Sequence, residues 1–381
     1  MKDEKGLTLD ISKLYGGQKE ISEIPNLPRF ANLIKKSIHK LELNLDGLVI
    51  LTEAASGYYV CTPLIAAMSG SEKVYAYVRD SKYGKAKDII ANTGKLALML
   101  GVRENIEFVE SLGSKIISES DIVTNLGPLR PITKKFIDNM KDTAVIPLMR
   151  ETWEFRDGEI DMKACESKGI IVLGTNENHP HLLIFDYLGH LCAKKLFEVG
   201  IEILNSKIIV CGGEDFGLNI IKYLRRLGAE VKGICEEKDI TNWGAQNIGN
   251  LVDGIQDIEA IKDADAIVVT SYPHNAEVIG DNGLISASKL KTLCPGISVF
   301  QFKGNLDRES VIKENIPLFP EKSPKYGHMS WTLNSLGPKA VIDLQSSGLK
   351  VGEIMSRLRL EGNNPQKAIE LALENDLVQG F

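Results

Sequence analysis

The 381-residue sequence contains no run approaching 18 apolar residues, so no stretch of it reads as a membrane-crossing helix. Its opening residues, MKDEKGLTLDISK, hold no apolar core of signal-peptide type. Positive charge is not in surplus: 45 Lys and Arg against 51 Asp and Glu leave a net −6, which argues against nucleic acid or an anionic membrane as a main partner. The six cysteines, at 61, 165, 192, 211, 235 and 294, are scattered without a Cys-x-x-Cys pair, so neither a disulfide framework nor a structural zinc is expected. No His, Cys and carboxylate set has ligand spacing, and no metal is expected. Low-complexity tracts and tandem repeats are absent too. These exclusions leave a reduced, cytoplasmic globular protein acting on a small molecule, long enough for two cores.

What the chain does have is a strand, glycine turn, helix and strand from Asn205 to Glu237. Lys207 to Cys211 is a short apolar run broken by Gly212 and Gly213. Leu218, Ile221, Leu224 and Leu227 recur at helical spacing before Gly228 and a second apolar run from Val231 to Ile234. Such a βαβ unit lays a pyrophosphate on a helix N-terminus, where unpaired N–H groups favour negative charge. Glu236 falls where these units place a carboxylate for a ribose, roughly 20 or more residues past the first glycine. With Gly217 as third glycine of G-x-G-x-x-G, Gly212 is first and Glu214 stands in the middle, where a carboxylate repels the ligand. With Gly213 as the close-approach residue, the spacing to Gly217 is one residue longer.

A first α/β series precedes this unit. Strands are expected at 48–52, 73–78, 105–109, 121–124, 144–149 and 170–173, with helices at 58–68 and 85–100. Its first joint, TEAASGYY, is poor in glycine, so this sheet is not the expected nucleotide site. Polar groups nevertheless cluster at its strand ends, where ligands of open α/β sheets bind: Glu53, Arg79, Asn125, Gly127, Arg130, Arg150 and Glu151. Arg79, Arg130 or Arg150 would clamp a carboxylate or phosphate. An apolar-rich helix over 182–199 bridges the two series and offers a dimer interface. Residues 316–331 read as a Pro-rich linker and 333–360 as a helix interrupted at Gly337-Pro338.

The segment from Asp121 to Pro317 resembles the D-isomer-specific 2-hydroxyacid dehydrogenases. SDIVTN…ITKKFIDNMK…GEIDMKACESKGIIVLGTNENHP is similar to the end of their catalytic domain, and IVCGGEDFGLNIIKYLRRLGAEV to their cofactor turn. KDADAIVVTSYPHNAEVIGDNGLISASKLKTLCPGISVFQFKGNLDRESV is similar to their passage towards an Arg-Gly…Asp element. The stretch from Phe302 to Ser310 also resembles S-adenosylhomocysteine hydrolases. The resemblance implies NAD held by Gly212, Gly213, Phe216, Gly217 and Glu236, with Thr270, Ser271, Tyr272 and Pro273 lining the nucleotide. It implies His328 as general acid/base, with Lys303 and Arg150 completing the catalytic set. Lys303 stands where the family has arginine, and no carboxylate partner for His328 is in a recognisable context.

The expectation is therefore two doubly wound parallel-sheet domains, flavodoxin-like and Rossmann. Residues 1–182, completed by 332–381, would form the substrate domain and residues 183–331 the dinucleotide domain, with the site in the cleft. The expected function is an NAD(H)-dependent oxidoreductase of a small anionic hydroxy or keto acid, assembled as a homodimer; Glu236 favours NAD over NADP. Two alternatives stand beside it: a binding or regulatory descendant with a degenerate nucleotide site, and a hydrolase or lyase using tightly bound NAD.

Overall fold

The computed structural model describes residues 24–270, 277–324 and 328–381. They divide into two compact units, 24–183 with 337–381, and 184–336. The first unit is built on β1 (Val49–Glu53), β2 (Lys73–Tyr77), β3 (Ile106–Val109), β4 (Ile122–Val123), β5 (Val145–Pro147) and β6 (Ile171–Thr175). In the second are β7 (Lys207–Cys211), β8 (Glu230–Ile234), β9 (Gln246–Asn247), β10 (Gly249–Asn250), β11 (Gly254–Ile255), β12 (Ala266–Val269), β13 (Ser298–Gln301) and β14 (Leu318–Phe319). The chain then returns to the first sheet with β15 (Val378–Gln379).

The first sheet runs β15-β6-β5-β4-β1-β2-β3. Its pairs are parallel except at β15, which adds antiparallel to β6 through Val378 and Thr175. From β1 the chain winds outward to β2 and β3, then restarts on the other side with β4, β5 and β6. The switch point lies between β1 and β4, and ligands of open α/β sheets bind at the carboxyl ends beside such a point. Ile171 to Thr175 and Ile50 to Glu53 are buried on both faces, as a covered parallel sheet requires. The 23-residue helix Pro338–Leu360 packs on β5 and β6, and its Gln345 accepts a 3.1 Å hydrogen bond from Thr62 Oγ1. The Gly-Pro pair expected to interrupt this helix instead starts it: Gly337 caps and Pro338 opens the first turn, where a missing N–H costs nothing.

The second sheet is parallel throughout, in the order β14-β13-β12-β7-β8-β9. Successive residues of β7 feed opposite cores: Ile208 and Val210 join one cluster, Ile209 and Cys211 the other. β12 alternates in the same way, so both faces are covered, as double winding demands. Leu318 and Phe319, read from sequence as part of a linker, close the edge of this sheet beside β13. The bridging helix begins at Asp186, four residues later than its apolar run, because Leu183 takes a left-handed φ of 49°. In the helix Glu214–Arg226 the buried stripe is Phe216, Gly217, Ile220, Ile221 and Leu224. Leu227, expected on that stripe, is instead 38% exposed.

Candidate functional site

In the second unit the turn after β7 is shaped by one close contact. A Cβ on Gly217 would lie 1.6 Å from the carbonyl oxygen of Gly212, so the helix Glu214–Arg226 meets the strand only because residue 217 is glycine. Gly212 has φ +122° and donates its N–H to Ile234. Thr270 seals the other side, donating from both its N–H and Oγ1 to Cys211 O at 2.8 and 3.1 Å. Glu214 carries a left-handed φ of 50° at the first position of the helix. In the register with Gly212 first and Gly217 third, residue 214 takes the middle place in a conformation that suits glycine, with a glutamate in it.

Carboxylates surround this turn. A cavity of about 350 Å³ opens on it, lined by Gly212, Gly213, Glu214, Glu236, Asp239 and Asp253 among others. Glu237 and Lys238 line it too, so five carboxylates face one ammonium. The space left by the missing Cβ of Gly213 is filled from within the chain: Asp239 Oδ2 lies 2.1 Å from where that Cβ would be. Glu236 stands at the end of β8 as expected, in an exposed 2.7 Å ion pair with Lys238. Burial pushes the neighbouring Cys235 thiol up to about 12, so it stays protonated and unreactive. The backbone of the turn fits a dinucleotide and Glu236 suits a ribose diol, but the charges oppose a diphosphate.

Phe216 and Lys303 are together, one turn further in. Phe216 is 6% exposed and edge-on to Phe185, with the Lys303 ammonium 4.5 Å from its ring centroid. Lys303 is itself fully buried, which places a cation beside the start of the helix. His328 is half-buried. Two residues on, Ser330 donates its N–H to Phe302 O at 2.9 Å, drawing this segment alongside Phe302 and Lys303. Ser271, Tyr272 and Pro273 lie outside the described residues.

In the first unit the strand-end residues gather around the switch point. Leu51 pairs with Val123, the Thr52 and Thr124 hydroxyls meet at 2.9 Å, and the next step in register sets Glu53 beside Asn125. Glu53 lies across Gly127, where a Cβ would come 1.8 Å from Glu53 Oε2 and where φ is +38°. Only glycine fits there. Burial raises the Glu53 carboxyl to about 7, against the pull of the Arg130 guanidinium. Asn125 is fully buried, and neither its Oδ1 nor its Nδ2 has a partner among the described residues.

Arginines converge next to this pair. Glu159 accepts from Arg130 Nη1 at 2.7 Å and from Arg150 Nη2, with Arg156 3.5 Å away. Glu154 also draws on Arg150 and Glu53 on Arg130, so the guanidinium groups are shared among several carboxyls, part of which burial neutralises. Glu151 accepts from the N–H of Glu177 at 3.1 Å and from the Trp153 indole. Burial, with Glu154 and Glu151 nearby, holds the Glu177 carboxyl well above the usual carboxylate range. Arg79 stands apart from this group, exposed just past the end of β2. Glu159 and Glu177 escaped the sequence reading. Glu177 follows β6 as the other polar residues follow their strands, a signal that was available; Glu159 lies in a loop and only the fold identifies it.

No family model and no curated protein matches the chain. Among solved structures it is similar to a dipicolinate synthase protein from Bacillus halodurans, with 12% identity over 83% of this chain and 98% of that one and a TM-score of 0.50. The corresponding dipicolinate synthase protein of Bacillus subtilis gives 13% identity, 84% and 98% coverage and a TM-score of 0.49. The NAD-complexed D-isomer specific 2-hydroxyacid dehydrogenase of Lactobacillus delbrueckii ssp. bulgaricus gives 12%, 87% and 100%, and 0.47. At 12% identity the likeness to the Bacillus halodurans protein is one of fold alone, and the two parallel α/β units are those the sequence led one to expect.

Proposed function

We propose that the protein is an NAD(H)-dependent oxidoreductase acting on a small anionic hydroxy or keto acid. The observation that carries this reading is the contact between Gly217 and the Gly212 carbonyl, which preserves the backbone of a dinucleotide turn despite a changed middle residue. Gly212, Gly213 and Gly217 would face the diphosphate, and Glu236 would accept from the adenine ribose and repel a 2′-phosphate. Thr270 with Ser271, Tyr272 and Pro273 would line the nucleotide, which when bound would supply or accept a hydride. His328 would hold the proton of the substrate oxygen, and Lys303 would supply positive charge. The substrate anion would be held by Arg130 and Arg150, with Glu53, Asn125, Gly127 and Glu151 shaping its surroundings.

NADH titration of the full chain, followed by turnover of a panel of 2-oxo acids with His328→Asn as control, tests the proposal. Exchangeable NADH binding with turnover that is lost in His328→Asn supports it. A second reading, a binding or regulatory protein that no longer takes a diphosphate, draws on Asp239 filling the space over Gly213. Absence of NADH binding at millimolar concentration would select that second reading.

A further inference from the structure

We propose that Glu53 and Asn125 are the recognition pair for the carboxylate of the small ligand, Glu53 donating from a protonated carboxyl and Asn125 from its amide, so that binding takes up a proton. The inference rests on the proposed function only for the class of ligand and needs no cofactor. Three observations lead to it. The pair lies at the carboxyl ends of β1 and β4, on either side of the switch point of the first sheet. Asn125 has both amide atoms buried and without partners among the described residues, an arrangement that native interiors complete with a ligand, an ion or an ordered water. Gly127 makes room for the Glu53 carboxyl at the cost of a left-handed backbone, which holds that carboxyl over the turn two residues past Asn125.

The charges around Glu53 set the sign of the effect. Arg130 faces it and favours its ionised form, while burial opposes ionisation and prevails. Cys61, on the helix Cys61–Met68, also faces it; burial keeps that thiol protonated and the ionised Glu53 adds to the effect. Arg130 is shared with Glu159, so its charge is partly spent. An arriving carboxylate disfavours the ionised form of Glu53 further, and its value in the complex lies above about 7. Between the free and bound values, affinity must fall about tenfold for each pH unit gained. Above the bound value the anion meets a second negative charge, and affinity levels off at its low limit.

The test uses the full chain and oxamate, a 2-oxo acid isostere that cannot be reduced. Calorimetric titration near pH 7.5, in two buffers of different ionisation enthalpy, counts the protons taken up. Expected are proton uptake in the wild type, affinity that weakens as pH rises, and a Glu53→Gln variant that binds with neither dependence. Asn125→Ala should weaken oxamate roughly tenfold or more while leaving the NADH titration unchanged. Should Asn125→Ala fold poorly, the infrared carbonyl band of protonated Glu53 serves instead: it should titrate near 7 and move upward in pH with oxamate. No oxamate binding at tens of millimolar, or proton uptake that persists in Glu53→Gln, overturns the proposal. Oxamate binding with the expected linkage but no NADH binding supports the pair and sinks the cofactor reading alone.

Discussion

Glu214 sits where the dinucleotide fingerprint places a glycine, in a left-handed conformation, at the mouth of a helix. Replacing it with glycine should act on stability and on ligand binding in different ways. For the fold, relief of a left-handed non-glycine residue is worth about 1–2 kcal/mol. Against it stand the loss of a favourable carboxylate at the helix N-terminus, about 0.3–1 kcal/mol, and the entropy of glycine, of order 0.5–1 kcal/mol. The net change should be within about 1 kcal/mol of zero. For binding, a carboxylate roughly 6 Å from a phosphate costs about 3 kcal/mol at an effective dielectric of 20 and about 0.7 kcal/mol in bulk water. Glu214 is exposed, so the lower half of that range applies per phosphate charge. NADH should then bind roughly 10- to 100-fold tighter to Glu214→Gly, with the gain shrinking in high salt. Fluorescence titration at low and high ionic strength reads both. An unchanged or weakened affinity would refute the reasoning, because it would mean that the diphosphate does not approach this carboxylate.

The other expectations concern the same two places. Asp239→Asn should also tighten NADH, and combining it with Glu214→Gly should give less than the sum, since both act on one ligand group. Gly217→Ala forces a Cβ onto the Gly212 carbonyl and should abolish NADH binding with a loss of several kcal/mol, on the order of 3 or more, in chemical denaturation. Gly127→Ala should destabilise the first unit by about 2–3 kcal/mol through overlap with the Glu53 carboxyl and its left-handed φ. The Glu53 carboxyl lies at about 7 in the folded protein and 4.5 as its ordinary value, so the folded state binds the extra proton. Its contribution to stability is full below about 4.5 and is lost as pH rises through 7, on the order of 3 kcal/mol in all. Glu53→Gln should flatten that part of the stability profile between about pH 4.5 and 7, and an unchanged slope would assign it to another group.

Most of the architecture was legible because parallel strands buried on both faces announce themselves as short apolar runs between turn residues. Runs such as Ile208 to Cys211 and Ile267 to Val269 needed no tertiary information. The parts that were not legible are those where a partner decides. Leu318 and Phe319 become a strand only because β13 offers an edge, and Val378 and Gln379 only because β6 does. Leu227 kept helical spacing yet is exposed, because the helix ends at Arg226 and Leu227 is its C-cap. At the sites, positions after strand ends gave Glu53, Asn125, Arg130 and Arg150 from the sequence. Their protonation and pairing depend on burial and on Glu159, a loop residue without a sequence signal.

The two units carry opposite electrostatic characters at equivalent places, the carboxyl ends of their sheets. Around the turn of the second unit, Glu214, Glu236, Glu237, Asp239 and Asp253 face Lys238, so a ligand gains there from hydroxyl donors and loses with every negative charge. In the first unit Arg130, Arg150 and Arg156 share Glu159, and burial favours the neutral forms of Glu53 and Glu177 at their neighbours' side. An anion gains there from guanidinium groups shared with Glu159, Glu154 and Glu53, the more so as Glu53 becomes neutral. A small carboxylate should therefore favour the first unit by charge, whereas a nucleotide would reach the second through its ribose and against its phosphates. That asymmetry yields a contrast in salt dependence. Raising ionic strength should weaken oxamate and, through screening of the acidic turn, strengthen NADH. Parallel titrations of the two ligands across a salt series read this contrast, and curves falling together would place NADH on the basic cluster of the first unit instead.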